Sequence, residues 1–176
     1  MLMKIFSFFL PLFFLLSCNS NKDNMSAEYI TKQKGIISAT LDSFNIAAAH
    51  SDFNGYFKFF TDSAIFIGTD ATEKWNKTQF MKWAKPYFDR KATWNFKAIK
   101  RDIYFNKDPD IAWFDELLNT QMKICRGSGV MVKQNGGWKI EQYVLSMTIP
   151  NNTVSDILKI KSPIEDSLIG VLSRGY

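Results

Sequence analysis

Cysteine and histidine are scarce: the 176 residues contain two Cys and one His. A zinc site needs clustered Cys or His ligands, so composition argues against one, and no metal is expected. A disulfide framework is equally unsupported, because Cys18 and Cys125 fall in unrelated contexts. Cys125 sits in an apolar-alternating stretch and reads as a small core residue. A nucleophilic role for it would want a nearby His, and His50 is placed at a helix end. Basic residues do not run together with interleaved aromatics, so no nucleic-acid partner is expected. There is no internal repeat. Neither Gly127-Ser128-Gly129 nor Gly136-Gly137 forms a phosphate loop, and Ser128 lacks the five-residue surroundings of a nucleophile elbow. No cofactor is expected.

What is present begins with the leader. Lys4 supplies charge, and Ile5 to Leu16 is apolar apart from Ser7 and Pro11. About a dozen residues are too few to cross a bilayer, which needs about 20. A charged start and a short apolar core describe a secretory signal. Leu15-Leu16-Ser17-Cys18 resembles a bacterial lipobox, in which the Cys is acylated. The expectation is a signal peptide over 1–17, lipidation at Cys18, and attachment to the bacterial cell envelope through that lipid. Asn19 then fits outer-membrane sorting by the enteric-type rule. Polar residues 18–26 read as a tether. Loss of Lys4 with the leader lowers the formal charge from +5 to about +4.

A single domain over 27–150 follows, rich in Phe and Trp. Ile30, Ile37, Leu41, Phe44 and Ala48 mark one face of a helix from Ala27 to His50. Ser51 or Asp52 can cap a second helix carrying Phe53, Tyr56, Phe57 and Phe60. Asn76 and Gln79 offer a capping box for a third, with Phe80, Trp83 and Ala84 inward and Pro86 ending or bending it. Ala64 to Gly68 reads as a short strand. Trp94–Tyr104, Ile111–Leu118, Met122–Lys133 and Trp138–Thr148 read as four more, with a tight turn at Lys107–Asp110 and a type I′ hairpin at Asn135-Gly136. Residues 151–176 form a tail with two short amphipathic pieces expected to pack on the domain. Helices first and a meandering antiparallel sheet afterwards give an α+β class.

Candidate site residues come from this pattern. A turn centred near Thr120 and Gln121 puts Asp115 opposite Arg126. Strand alternation puts Trp113 and Asp115 on one face and Phe114 and Glu116 on the other, and Asp115 is taken as the cavity-facing acid. Beside aromatics it would have a raised pKa and serve as a general base; equally, the pair can be a structural ion pair. Asp70 either lines a cavity mouth or caps a turn. Tyr56 and Tyr87 are either hydroxyl donors to a ligand or core aromatics. Trp138, Ile140, Gln142 and Val144 alternate onto one face, read as inner, which makes Gln142 a ligand-orienting group or a satisfied amide.

Five runs together resemble the SnoaL-like branch of the nuclear transport factor 2-like (NTF2-like) superfamily: Phe66–Thr72 (FIGTDAT), Ala84–Phe88 (AKPYF), Ala112–Glu116 (AWFDE), Cys125–Val130 (CRGSGV) and Gly137–Ile140 (GWKI). The likeness spans roughly Ile36 to Pro150. It implies a cone of three helices in a curved sheet, with an internal cavity and often a homodimer through the sheet's outer face. It does not imply one activity, since members include ketosteroid isomerases, cyclases and dehydratases. Three readings follow: a pocket for a small apolar or amphipathic molecule, an enzyme using Asp115 or Asp70 as base, or a homodimeric interaction module.

Overall fold

The computed structural model describes residues 25–175, so the leader and Cys18 lie outside the described residues. Helix α1 (Ala27–Ala49) starts where Ser26 accepts the Tyr29 backbone N–H, and it buries Ile37, Leu41, Phe44 and Ala48 along one side. Helix α2 is a single turn (Phe53–Phe57) capped by Asp52, which accepts the Gly55 N–H at 2.8 Å. Phe60 does not continue it; strand β1 (Phe60–Ile67) begins there. β2 (Lys74–Asn76), unread in the sequence because three residues carry no period, pairs antiparallel with β1. Asn76 and Gln79 form the capping box of α3 (Lys77–Asp89). That helix runs on through Pro86 rather than ending there. Lys82 and Pro86 are both exposed, so water can take the carbonyl that the proline leaves free.

Strands β3 (Lys97–Phe105), β4 (Ile111–Thr120), β5 (Lys123–Gln134) and β6 (Gly137–Met147) form an antiparallel meander. The full order is β2-β1-β6-β5-β4-β3, with β1 and β6 parallel. The β5–β6 turn has positive φ at Asn135 (52°) and Gly136 (79°), as a type I′ hairpin requires. β3 starts three residues later than expected, because Trp94 and Phe96 pack against the core instead of joining the ladder.

The core lies between the sheet's inner face and helices α1 to α3. α1 supplies Ile37, Leu41 and Phe44; β4 supplies Ala112, Phe114, Glu116 and Leu118; β6 supplies Trp138, Ile140, Tyr143 and Leu145. Cys125 is fully buried and has no disulfide partner among the described residues. The tail is one helix, α4 (Val154–Leu172), rather than two pieces, and none of its residues is buried. Among the described residues no helix is long and apolar enough to cross a membrane.

Candidate functional site

A pocket of about 190 Å³ opens at the end of the cone where α3, the β4–β5 turn and the end of β1 meet. Its wall is aromatic: Phe66 from β1, Trp75 from β2, Phe80 and Trp83 from α3, and Trp94 and Phe96 from the segment before β3. Met122 and Leu145 complete it, and Thr69, Glu73 and Gln121 bring polar groups. Several rings lie nearly parallel. Phe66 stacks on Phe80 with centroids 4.0 Å apart, and Trp75 stacks on Trp83 at 4.8 Å. Trp83 is 37% exposed at the mouth. Among the described residues Glu73 is the one ionisable residue on this wall. Its carboxylate lies over Gly68: a Cβ built there would stand 2.1 Å from Glu73 Oε2. The Asp70 backbone N–H donates to the same oxygen at 3.3 Å.

Behind the wall the cone is filled by its own side chains. Phe44, Tyr56, Phe60 and Phe80 pack together there. Phe66, a wall residue, stacks on Tyr143, and with Tyr143 a buried polar network begins. The Tyr143 hydroxyl donates to Glu116 Oε1 at 2.9 Å. Arg101 Nε donates to Glu116 Oε2 at 2.8 Å. Arg101 Nη2 lies 2.7 Å from that oxygen, in ion-pair contact. Arg101 Nη1 reaches α1, donating to the Ser38 carbonyl, the Ser38 hydroxyl and Asp42 Oδ1, each at 2.9 Å. Burial raises the Glu116 carboxyl above its ordinary value and outweighs the opposing pull of Arg101 and Tyr143. Burial and the neighbouring Glu116 hold the Tyr143 hydroxyl well above the ordinary tyrosine value. Both Glu116 oxygens are occupied, so this network ties β3, β4, β6 and α1 together and offers no free base.

The sequence-predicted residues are not brought together. Asp115 does not face the cavity. It is paired with Ser128 on the outer face, while Glu116 points inward. The β4–β5 loop is Gln121-Met122, so Arg126 stands opposite Leu117. Asp115 and Arg126 still meet diagonally, at 2.9 Å, as a half-exposed ion pair. Trp113 shares that outer face and stacks on Tyr104. Gln142 is exposed, not inward: an extra residue at Glu141 breaks the alternation between Ile140 and Tyr143, which exchanges the two faces. Tyr56 is fully buried in the aromatic core, and burial raises its hydroxyl well above the ordinary value. Asp70 caps a turn, accepting from the Thr72 N–H at 2.8 Å and the Thr72 hydroxyl at 2.6 Å, and the Thr72 bonds lower its pKa. Tyr87 lies half-buried against Trp83, just outside the pocket wall. His50 is exposed at the end of α1. Among the described residues no group of three His, Cys, Asp or Glu is placed to hold a metal.

Sequence reasoning missed Glu116 as the inward acid, and Glu73 and the tryptophans as pocket residues. One signal was available for the first. Gly127 and Gly129 alternate in β5 opposite Glu116 and Phe114, and two glycines facing inward leave room for large side chains.

The family model described as the SnoaL-like domain matches residues 37–150, most of the chain. The chain belongs to the SnoaL-like domain family. No curated protein matches it. Solved structures that this SnoaL-like chain resembles share its fold at low identity. An NTF2-like protein of unknown function from Pseudomonas putida KT2440 is 13% identical with a TM-score of 0.58, covering 70% of this chain and 92% of that one. A candidate dehydratase of the NTF2-like family from Streptomyces avermitilis is 10% identical with a TM-score of 0.60, covering 69% and 99%. A candidate scytalone dehydratase from Novosphingobium aromaticivorans is 10% identical with a TM-score of 0.59, covering 70% and 89%. These likenesses show the NTF2-like cone, and the chemistry has to be argued from the SnoaL-like domain's own side chains.

Proposed function

We propose that this SnoaL-like domain is a binding protein held at the bacterial cell envelope through lipid on Cys18, and that its pocket takes a small apolar or amphipathic molecule. The observation that carries the reading is the aromatic-walled pocket of about 190 Å³ with three partly exposed tryptophans on its wall. An apolar cavity of about 150 Å³ can hold benzene, and drug-sized sites begin near 300 Å³. The occupant is therefore of one-ring size.

The test uses the five tryptophans as reporters. Indole is titrated into 15N-labelled 25–176, and the five side-chain N–H signals are followed by NMR. Trp75, Trp83 and Trp94 should shift together with saturation. Trp113, on the outer face, and Trp138, buried beside Phe105, should stay still. Movement of Trp113 alone, or of no signal up to the solubility limit, would remove the pocket as the binding site. Cys18→Ser should release the full-length protein from the membrane fraction.

An isomerase, cyclase or dehydratase reading keeps one foothold: Glu73 is a carboxylate on the pocket wall. Glu73→Gln would then abolish turnover of any productive substrate. A homodimer, if it forms, would pair through the outer face, where stacked Tyr104 and Trp113 are 41% and 40% exposed. Light scattering at micromolar concentration reads it.

A further inference from the structure

We infer that the pocket selects an organic cation, a small quaternary or tertiary ammonium compound; this rests on the pocket reading above and adds a charge to its ligand. Two features point the same way. Trp75, Trp83 and Trp94 line the pocket, and tryptophan is the aromatic side chain that attracts cations most strongly. Among the described residues Glu73 is the wall's one charged side chain, with no Lys, Arg or His beside it there. The wall thus combines three tryptophans with one carboxylate, two kinds of group that each attract an ammonium ion.

The position of Glu73 is built rather than incidental. The chain turns at Asp70–Glu73, where the Glu73 N–H donates to the Asp70 carbonyl at 3.0 Å and the Gly68 N–H donates to the Glu73 carbonyl at 2.8 Å. The carboxylate then occupies space that only glycine at 68 leaves open. Among the described residues one hydrogen bond holds it, from the Asp70 backbone to Oε2, and Oε1 is left for a partner. A neutral ligand of the same shape gains the apolar contacts and neither of the charge terms. The chain as a whole is basic, with a formal charge of +5, so a general electrostatic field would repel a cation and cannot mimic this preference.

The experiment compares choline with 3,3-dimethyl-1-butanol, its neutral isostere, on the tryptophan N–H signals of 25–176. The expected result is movement of Trp75, Trp83 and Trp94 by choline with an affinity about tenfold above that of the alcohol. Glu73→Gln should erase most of that preference, lowering the affinity for choline more than that for the alcohol. Equal binding of the two probes, or tighter binding of the alcohol, would overturn the cation inference and leave the pocket standing. Binding of indole without any response to choline would do the same. Silence with all three probes would remove the pocket reading together with this one. Glu73→Gln sits on an exposed turn and conserves shape, and its unchanged spectrum elsewhere would show that it folds.

Discussion

The hydroxyl of Tyr143 reaches Glu116 Oε1, 2.9 Å away, across a gap that exists because residue 127 is glycine. Gly127 pairs with Glu116 on one side and Leu145 on the other, facing inward. A Cβ there would stand 2.4 Å from the Tyr143 hydroxyl and 3.0 Å from Glu116 Oε1. Gly127→Ala should therefore destabilise the fold by about 1–3 kcal/mol, as overpacking of a close-packed interior does. Urea unfolding followed by far-UV circular dichroism measures it. A variant as stable as the wild type would show that the network has slack.

A second prediction concerns the buried pair itself. Arg101 and Glu116 have side chains 6% and 0% exposed. Removing one charge strands the other, at a cost of about 3–5 kcal/mol. Glu116→Leu and Arg101→Met should each fall in that range, and the double variant should be less destabilised than the sum of the two. Additive losses would mean that the pair is not coupled, and that Arg101 is held by Ser38 and Asp42 alone.

The fold was largely legible, and the site was not, for a reason visible in β4. Helix α1, the capping box at Asn76 and the Asn135-Gly136 hairpin each carry a local signal, a period or a turn residue. The inward face of β4 carries none. Ile111, Trp113, Asp115 and Leu117 alternate with Ala112, Phe114, Glu116 and Leu118, so each face offers three apolar residues and one acid. The choice between them is made by pairing across the sheet. Gln142 was lost in a similar way: one inserted residue in β6 reverses every side chain after it, and period-2 reasoning has no access to a bulge. The pocket gathers residues from β1, the β1–β2 loop, β2, α3, the link before β3, the β4–β5 loop and β6, a convergence no sequence window contains.

Glu116 also sets a pH dependence. Burial raises its pKa above the ordinary 4.5, so the native state holds this proton more tightly than the unfolded chain does. Its contribution to stability is then greatest below the unfolded value and is lost as pH rises through the folded value. Asp62 and Asp70, lowered by Lys77 and Thr72 respectively, act with the opposite sign at lower pH, but they are common to wild type and variant. Hence the stability of the wild type relative to Glu116→Gln should decline as pH rises from about 4.5 upward. Urea midpoints of both proteins at half-unit pH steps test this. A relative stability that grew with pH would mean that the Arg101 ion pair outweighs burial.

The C-terminal helix gives the last prediction. α4 carries Val154, Leu158, Ile160, Ile164, Ile169, Val171 and Leu172, all exposed, and none of its 19 residues is buried. Burial of apolar side chains is what makes a segment contribute to domain stability, at roughly 25 cal/mol per Å² removed from water. A helix that removes so little has almost nothing to contribute, whatever its amphipathic pattern. Deleting 151–176 should change the unfolding free energy of the remaining domain by less than about 0.5 kcal/mol, as substitutions away from packed sites do. The three pocket tryptophan signals should keep their positions. A loss of several kcal/mol on truncation would mean that α4 docks on the domain in solution, and that its exposed apolar side is covered there by the cone.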